Sequence, residues 1–266
     1  MTSVLVQGTP AGVEVTPESA GWDYVGFEAL TLAAGERRRV VTGGRELLVV
    51  LLAGRCNVRS SRGEWERIGD RRSVFDGLPH AVYLPPSSEL ELESAGDGDA
   101  EVALCFAPAE RGSDARCIGP EDVEVETRGH GSMERRIHNI LMAGQPAERL
   151  LVTEVLTPAG HWSSYPPHKH DRDAPPAESL LEETYYHRLR PASGFALQRV
   201  YTADRGLDEC VAVRDGDVVL VPRGYHTVSC PPGYELFYLN VMAGPRRAWE
   251  VANDPDHAWL LSGAVR

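Results

Sequence analysis

The sequence predicts an all-β protein of the sandwich or barrel type. Short apolar runs of strand length recur along the chain, and glycine, proline or aspartate residues bound them. Turn signals at this regular spacing are typical of sandwiches and barrels, whereas a parallel sheet would require strands that alternate with helices. Six prolines between Pro158 and Pro191 also exclude a long helix from that region.

The individual strands can be placed from these runs in chain order. Gly43 and Gly44 indicate a turn between the first two strands, and Trp22, Tyr24 and Phe27 before them are expected in the core or at an interface. In the first half we expect strands at residues 37–42, 47–52, 82–84, 90–92 and 102–106. In the second half we expect strands at residues 150–156, 184–188, 195–201, 218–221 and 234–241.

The composition changes between residues 107 and 145, where glycine, proline and charged residues predominate. We interpret this stretch as a connection with a short helix near residues 134–142. His130 and His138 lie in it without a ligand-spaced neighbour, so we expect them to be solvated or structural. The boundary divides the chain into domains at residues 1–125 and 126–266. A weak internal similarity, in which the sequence segment that begins at Asp76 resembles the segment that begins at Asp215, suggests two related units, with metal ligands in the second alone.

Composition and charge exclude several classes of protein. The 266 residues are 42% hydrophobic and 25% charged, which is ordinary for a soluble globular protein. The sequence shows neither a signal peptide nor an apolar run long enough to cross a membrane, and its five scattered cysteines favour free thiols in a reducing compartment. We therefore expect a cytoplasmic protein. The net charge of −12 argues against nucleic acid but is compatible with a small anionic substrate held by local arginines.

One group of residues has the chemistry of a metal site. His168 and His170 are two residues apart, so an extended strand would present both imidazoles on one face. Glu182 and Glu183 open a later strand, and His226 follows in the segment Val-Pro-Arg-Gly-Tyr-His. Three imidazoles and one carboxylate suit a divalent ion such as Zn, Mn or Fe, with positions left for water or substrate.

These residues also carry a resemblance to a known family. His168-x-His170 with a following glutamate, and Gly216-x5-Pro222-x-Gly224-x-His226, resemble the two cupin motifs, although the gap after His170 is longer than usual. The wider pattern, which covers nearly the whole chain, is similar to the 5-deoxy-glucuronate isomerase family of inositol catabolism. The segments that carry this similarity are residues 16–28, 162–171, 181–187, 198–201, 215–226 and 238–257.

The resemblance implies a bicupin, with two jelly-roll barrels in one chain, and an aldose–ketose isomerase. The implied reaction converts 5-deoxy-D-glucuronate to 2-deoxy-5-keto-D-gluconate. A divalent metal could polarise the carbonyl and the neighbouring hydroxyl and so stabilise a cis-enediolate, while a general base transfers the proton between the two carbons. A related isomerase acting on 5-dehydro-4-deoxy-D-glucuronate shares the fold and the class of chemistry.

Strand alternation suggests which glutamate binds the metal and which side chains accompany it. If Glu183 points inward, Tyr185 and His187 point inward with it, whereas Glu182 shares the other face with Thr184 and Tyr186. The cupin pattern favours Glu183 as the ligand, together with His168, His170 and His226. Tyr185 and His187 are then the candidate acid–base groups, and a hydrogen-bonded wall residue is the alternative for His187.

The substrate carboxylate requires a cation. Arg199 lies on an expected strand, and Arg223 and Lys169 are near or adjacent to the candidate ligands, so each is a candidate; the alternative for all three is a solvent-facing charge. Two other functional classes stay open. A metal-cupin dioxygenase would use the same ligands with Fe(II), and a sugar-binding or storage bicupin would catalyse nothing. A homo-oligomer formed through exposed sheet edges is also possible.

Overall fold

The computed structural model describes residues 3–96 and 98–262, and this part of the chain is built almost entirely from strands. The strands of the first half are β1 (Leu5–Val6), β2 (Val13–Val15), β3 (Gly26–Leu32), β4 (Arg37–Val41), β5 (Arg45–Ala53), β6 (Cys56–Ser60), β7 (Gly63–Ile68), β8 (Ala81–Leu84), β9 (Glu89–Ser94), β10 (Ala100–Pro108) and β11 (Arg116–Ile118). The prediction of an all-β protein is confirmed.

The second half has the same character. Its strands are β12 (Glu124–Arg128), β13 (Arg135–Leu141), β14 (Leu151–Thr157), β15 (Trp162–Lys169), β16 (Asp171–Ala174), β17 (Glu178–Leu180), β18 (Glu182–Arg190), β19 (Ala196–Tyr201), β20 (Asp208–Val213), β21 (Val218–Val221), β22 (Tyr225–Ser229), β23 (Glu235–Ala243) and β24 (Ala252–Asn253). The helical segments are α1 (Pro17–Ala20) and 3-10 helices at Pro120–Asp122, Gly131–Met133 and Ala258–Ser262. Within the described residues, no helix is long and apolar enough to cross a membrane.

The four main sheets stack as layers with an apolar core between each pair. The outer four-stranded sheet (β4-β9-β6-β7) packs on a six-stranded sheet (β11-β8-β5-β10-β3-β2). That sheet packs on a seven-stranded sheet (β1-β21-β18-β23-β14-β13-β12), which in turn covers a five-stranded sheet (β20-β19-β22-β15-β24). The central strands are therefore buried on both faces, which explains their uninterrupted apolar runs.

β5 shows how one strand supplies two cores. Leu47 and Val49 point into the first sandwich, and Leu48 and Val50 point toward the second half, because successive side chains alternate across a strand. The interior of the first sandwich is apolar over the described residues that form its core. The interior of the second contains polar and titratable side chains as well, and this difference places the candidate site in the second sandwich.

The helix predicted near residues 134–142 is wrong, because that segment is the strand β13, held between β12 and β14. Its charged start obscured an alternation of period two, in which Arg135, Ile137 and Asn139 face the interior of the second sandwich. The domain division between residues 125 and 126 stays a prediction. β12 begins the second set of sheets, but β1 also joins that set by pairing with β21.

Two buried carboxylates join the halves in a reciprocal way. Glu46 of the first half accepts hydrogen bonds from three successive backbone N–H groups of the second half, at residues 148–150 and 2.6–2.8 Å. Glu182 of the second half accepts from three successive N–H groups of the first, at residues 23–25 and 2.7–3.0 Å. Each carboxylate thus fixes a loop of the opposite half, since a buried acceptor must be satisfied by donors.

Candidate metal centre

Three histidines and one glutamate converge between the two sheets of the second sandwich. β15 carries His168 and leads directly into His170, and His226 on β22 is the Cα partner of His168 in the same sheet. Glu183 projects from β18 in the facing sheet. Strand pairing therefore supplies the histidines from one wall and the carboxylate from the other.

The donor atoms of this cluster are close enough to share one ion. The ligand atoms of His168, His170 and His226 lie within 4.8 Å of one another, and no other such group of three occurs in the described part of the chain. The carboxylate of Glu183 completes the set, with its Oε2 3.0 Å from His170 Nε2 and 3.3 Å from His226 Nε2. His170, Glu183 and His226 are all buried.

The hydrogen-bond partners of two rings show that the cluster fits a cation. The Nδ1 atoms of His170 and His226 face backbone carbonyl oxygens, those of Leu181 at 3.0 Å and Gly224 at 3.4 Å, so each Nδ1 donates a proton there. In neutral rings the Nε2 atoms then present lone pairs toward one carboxylate oxygen, and His226 Nε2 is buried without a hydrogen-bond partner among the described residues. A divalent ion would be coordinated by the Nε2 lone pairs and the carboxylate oxygen together. Carbonyl partners on the opposite ring nitrogens are typical of metal-binding histidines.

Burial also keeps two of the rings neutral. It lowers the pKa of His168 to about 3, with the nearby His170 and Arg135 adding to the effect. Burial, followed by the proximity of His168, lowers the pKa of His226 well below its ordinary value. Neutral imidazole is the form that binds metals, so the site requires no deprotonation of these two rings at physiological pH.

The long gap between His170 and Glu183 is a small β-ribbon. β16 and β17 pair with each other, and the N–H of Leu181 donates to the carbonyl of His170 at 2.9 Å, which closes the insertion at its base. The β16–β17 ribbon therefore ends beside His170, where it begins. Asp171 in the ribbon accepts from the N–H of Gly224 at 2.8 Å and so helps to position the turn before His226.

The two adjacent glutamates point to opposite faces of β18. Glu183 faces the histidines, whereas Glu182 accepts the backbone hydrogen bonds of the N-terminal segment described above. Tyr185 lies on the Glu183 side, with its ring 5.6 Å from that of His226. Tyr186 lies on the other side, with its ring 5.4 Å from that of Phe27. This is the arrangement expected from strand alternation.

A cavity opens from the cluster, and hydroxyl groups form one part of its polar wall. Tyr185, Ser164 and Tyr238 line it, with the Ser164 hydroxyl 2.9 Å from that of Tyr185 and 3.5 Å from that of Tyr238. Burial, followed by the charge of Glu183, raises the pKa of Tyr185 well above its ordinary value. Tyr185 is therefore a neutral O–H group at physiological pH.

The structure places His187 behind Tyr185, and it does not line the cavity. The two rings stack at 6.1 Å between centroids, and His187 is fully buried. Its Nε2 is 2.8 Å from the amide oxygen of Gln198, so the Nε2–H donates there. Burial lowers the pKa of His187 to about 4. This ring is a neutral support for Tyr185, as in the wall-residue alternative.

None of the three cations expected to hold a carboxylate points into the cavity. Arg199 is on the outer face of β19, where its Nε and Nη2 donate to Asp208 at 2.8 Å. Arg223 is exposed and lines a different surface depression. The Lys169 ammonium donates to Asp171 at 2.5 Å and to Glu178 at 2.6 Å. Lys169 alternates with the histidines on β15, so strand geometry directs it away from them.

Two other arginines reach the cavity, and the sequence reasoning missed both. Arg128 at the end of β12 and Arg135 at the start of β13 line the inner cavity together with His168 and Glu183. Their strands were interpreted as a connection with a helix, so no face could be assigned to them. The signal that could have identified Arg135 is its alternation with Ile137 and Asn139.

Two stacked β-sandwiches, of which the second contains a buried cluster of three histidines and one glutamate, define a bicupin with a candidate metal centre. A family model described as KduI/IolB matches residues 3–260, and the chain belongs to this family. Solved structures agree with the fold. An IolB-like protein from Salmonella typhimurium LT2 is 46% identical, with a TM-score of 0.94 over 97% of this chain and 98% of that one.

Other relatives extend the comparison. A protein named 5-deoxy-glucuronate isomerase from Geobacillus kaustophilus is 56% identical and covers 95% of this chain and 91% of its own length. A protein of the same name from Bacillus subtilis is 47% identical, with 93% and 92% covered. Bacillus subtilis oxalate decarboxylase, which has Mn(II) centres, is only 15% identical, with a TM-score of 0.62 over 90% of this chain and 74% of that one; it shares the fold alone.

Proposed function

We propose that this protein is an isomerase that converts 5-deoxy-D-glucuronate to 2-deoxy-5-keto-D-gluconate, a step of inositol catabolism in the cytoplasm. The observation that carries the proposal is the cluster of His168, His170, Glu183 and His226, which opens onto a cavity lined by tyrosine hydroxyls and arginines. Relatives that carry the name 5-deoxy-glucuronate isomerase at 46–56% identity over nearly the full length support it.

The cluster would hold one divalent ion, of which Zn, Mn and Fe all suit the donor set. When bound, such an ion supplies a Lewis acid that polarises the aldehyde and the neighbouring hydroxyl of the sugar acid. The surrounding protein shields the site from bulk solvent, because His170, Glu183, Tyr185 and His226 are buried. In such an enclosed site, fixed dipoles and hydrogen bonds act more strongly than in water.

Isomerisation also requires a proton exchange at the two substrate oxygens, because the aldehyde oxygen gains a hydrogen and the neighbouring hydroxyl loses one. Tyr185 is the acid–base candidate that lines the cavity, and its O–H is hydrogen-bonded to the hydroxyl of Ser164. We assign Tyr185 Oη the role of exchanging a proton with the substrate oxygens, with Ser164 and Tyr238 as the adjoining relay. His187 acts through Tyr185 as a positioning residue, because it contacts the ring and not the cavity.

The function is tested by a proton NMR time course of 5-deoxy-glucuronate with the purified protein. We expect the resonances of the aldose to be replaced by those of the 2-deoxy-5-keto acid. Chelation should stop the conversion, and addition of Zn, Mn or Fe should restore it. No conversion with any of these metals would contradict the proposal. Consumption of oxygen in the same mixture would instead indicate a dioxygenase, and binding without turnover would indicate a storage or sugar-binding protein.

A further inference from the structure

Two arginines are directly opposed beside the candidate metal centre. Arg128 and Arg135 are Cα partners across β12 and β13, and both line the cavity that contains His168 and Glu183. Like charges opposite each other destabilise a pair of strands. Within the described part of the chain, Glu126 forms an ion pair with Arg128 alone, so the charge of Arg135 is the one that lacks a compensating anion. The protein as a whole has a net charge of −12, which makes this local positive pair the more unusual.

Arg135 is the more buried of the two arginines and has fewer partners for its charge. It is only 8% exposed, and its Nη1 donates to two backbone carbonyl oxygens, those of Met133 at 3.1 Å and Tyr165 at 3.4 Å. Among the described residues, no carboxylate forms an ion pair with it, and its Nε and Nη2 have no hydrogen-bond partner. Burying an unpaired cation is costly, and the cost is recovered if a ligand supplies the anion.

The local backbone is shaped to hold Arg135 in this position. Gly129, in the turn between the two strands, has φ +87°, a backbone conformation that residues other than glycine rarely adopt. A Cβ at Gly129 would lie 2.2 Å from the carbonyl oxygen of Met133 and 2.9 Å from Arg135 Nη1. Only glycine lets the turn close onto the guanidinium.

Arg128 is placed at the entrance. Its guanidinium lies 4.9 Å from the ring centre of Trp249, and its Nη2 donates to Glu126 at 2.5 Å. Arg128, Arg135, His168 and Trp249 also line a second, outer cavity of about 410 Å³. That volume is typical of a small-molecule site. The arginines therefore lie where an anionic ligand would pass to reach the histidines.

We propose that Arg135, assisted by Arg128, binds the carboxylate of the sugar acid, so that the opposite, aldehyde end is directed to the cluster of His168, His170, Glu183 and His226. This assignment rests on the proposed function and names the group that selects a uronate over a neutral sugar. Arginine suits the role because its planar fork can donate two parallel hydrogen bonds to one carboxylate.

The kinetic test compares two substrates in three proteins. Arg135→Gln should raise KM for 5-deoxy-glucuronate about 10- to 100-fold, the range expected for a lost charge-assisted hydrogen-bonded pair, and should change kcat little. Turnover of 5-deoxy-glucose, which has a hydroxymethyl group in place of the carboxylate, should stay within about threefold of the wild-type value. The matched control is Arg199→Gln, which removes an exposed arginine on the outer face and should alter neither substrate. Equal losses on both substrates in Arg135→Gln, or no loss on either, would overturn the assignment.

A binding measurement tests this assignment independently of the proposed function. D-glucuronate and D-glucose are titrated calorimetrically into the wild-type holoprotein and the Arg135→Gln holoprotein, after their metal contents are shown to match. We expect the wild type to prefer D-glucuronate and the variant to lose that preference. If the preference is lost as expected but the wild type does not isomerise 5-deoxy-glucuronate, the anion site stands and the proposed reaction fails. A wild type that binds the two sugars equally would overturn the site whatever the turnover.

Discussion

Replacing Glu183 by glutamine is expected to remove the metal and abolish isomerisation. The amide retains an oxygen ligand but has no negative charge to hold a dication. Its N–H2 group can also donate to the lone pairs on His170 Nε2 and His226 Nε2, so the metal-free cluster becomes self-satisfied. Mutation of a residue that hydrogen-bonds to a metal ligand typically lowers metal affinity or activity about 10–100-fold. Loss of a ligand itself should therefore lower metal affinity by at least about 100-fold.

Glu182→Gln is the matched control, because it makes the same chemical change one residue earlier on the opposite face of β18. Metal content and most of the activity should survive. The free energy of unfolding should fall by about 1–3 kcal/mol, since the two carboxylate oxygens accept from three backbone N–H groups and an amide, whose NH2 group cannot accept, leaves at least one of these buried donors unsatisfied. Elemental analysis and a denaturant titration measure the two quantities. Loss of metal in Glu182→Gln with retention in Glu183→Gln would refute the assignment of the ligand.

The second large effect is expected for Tyr185→Phe. The ring keeps its packing on His187 and His226, and only the hydroxyl beside Ser164 is removed. Loss of a group that carries a proton in the transition state costs about 10²- to 10⁴-fold, so kcat should fall in that range while metal content and KM stay near the wild-type values. Steady-state kinetics with 5-deoxy-glucuronate provide the measurement.

Tyr186→Phe tests whether that effect is specific. Tyr186 is adjacent in sequence, is also buried, and points into the core between the two halves. The activity of the Tyr186→Phe variant should therefore match that of the wild type. An unchanged kcat in Tyr185→Phe would remove this hydroxyl from the chemistry. A comparable loss in both variants would attribute the effect to stability and not to proton transfer.

Residues that are close in sequence were the easiest to assign from the sequence. The His-x-His spacing and the alternation along β18 depend only on strand geometry, and the structure brings His168, His170, Glu183 and His226 together in that way. The same rule directs Lys169 to the opposite face, so its candidacy could have been rejected from sequence alone. Arg199 is next to the buried Gln198 and is directed outward for the same reason.

Other features depend on contacts that alternation does not specify. The donors to Glu182 are more than 150 residues away in sequence, so its role at the junction of the halves is set by tertiary packing. Arg135 was hidden by the local composition of its segment, in which charged residues obscured the strand period. Its neighbour Arg128 becomes its partner only through the pairing of β12 with β13. Sheet register, and not sequence proximity to the ligands, decides which cations reach the site.

The central claim is that one divalent ion, held by the cluster of His168, His170, Glu183 and His226, is required for isomerisation. It is tested most directly by titrating metal back into the chelated wild-type protein while activity on 5-deoxy-glucuronate and bound metal are measured together. The account predicts that activity rises linearly with bound metal and saturates at one ion per chain. Full activity in the metal-free protein, or saturation only at two ions per chain, would contradict it.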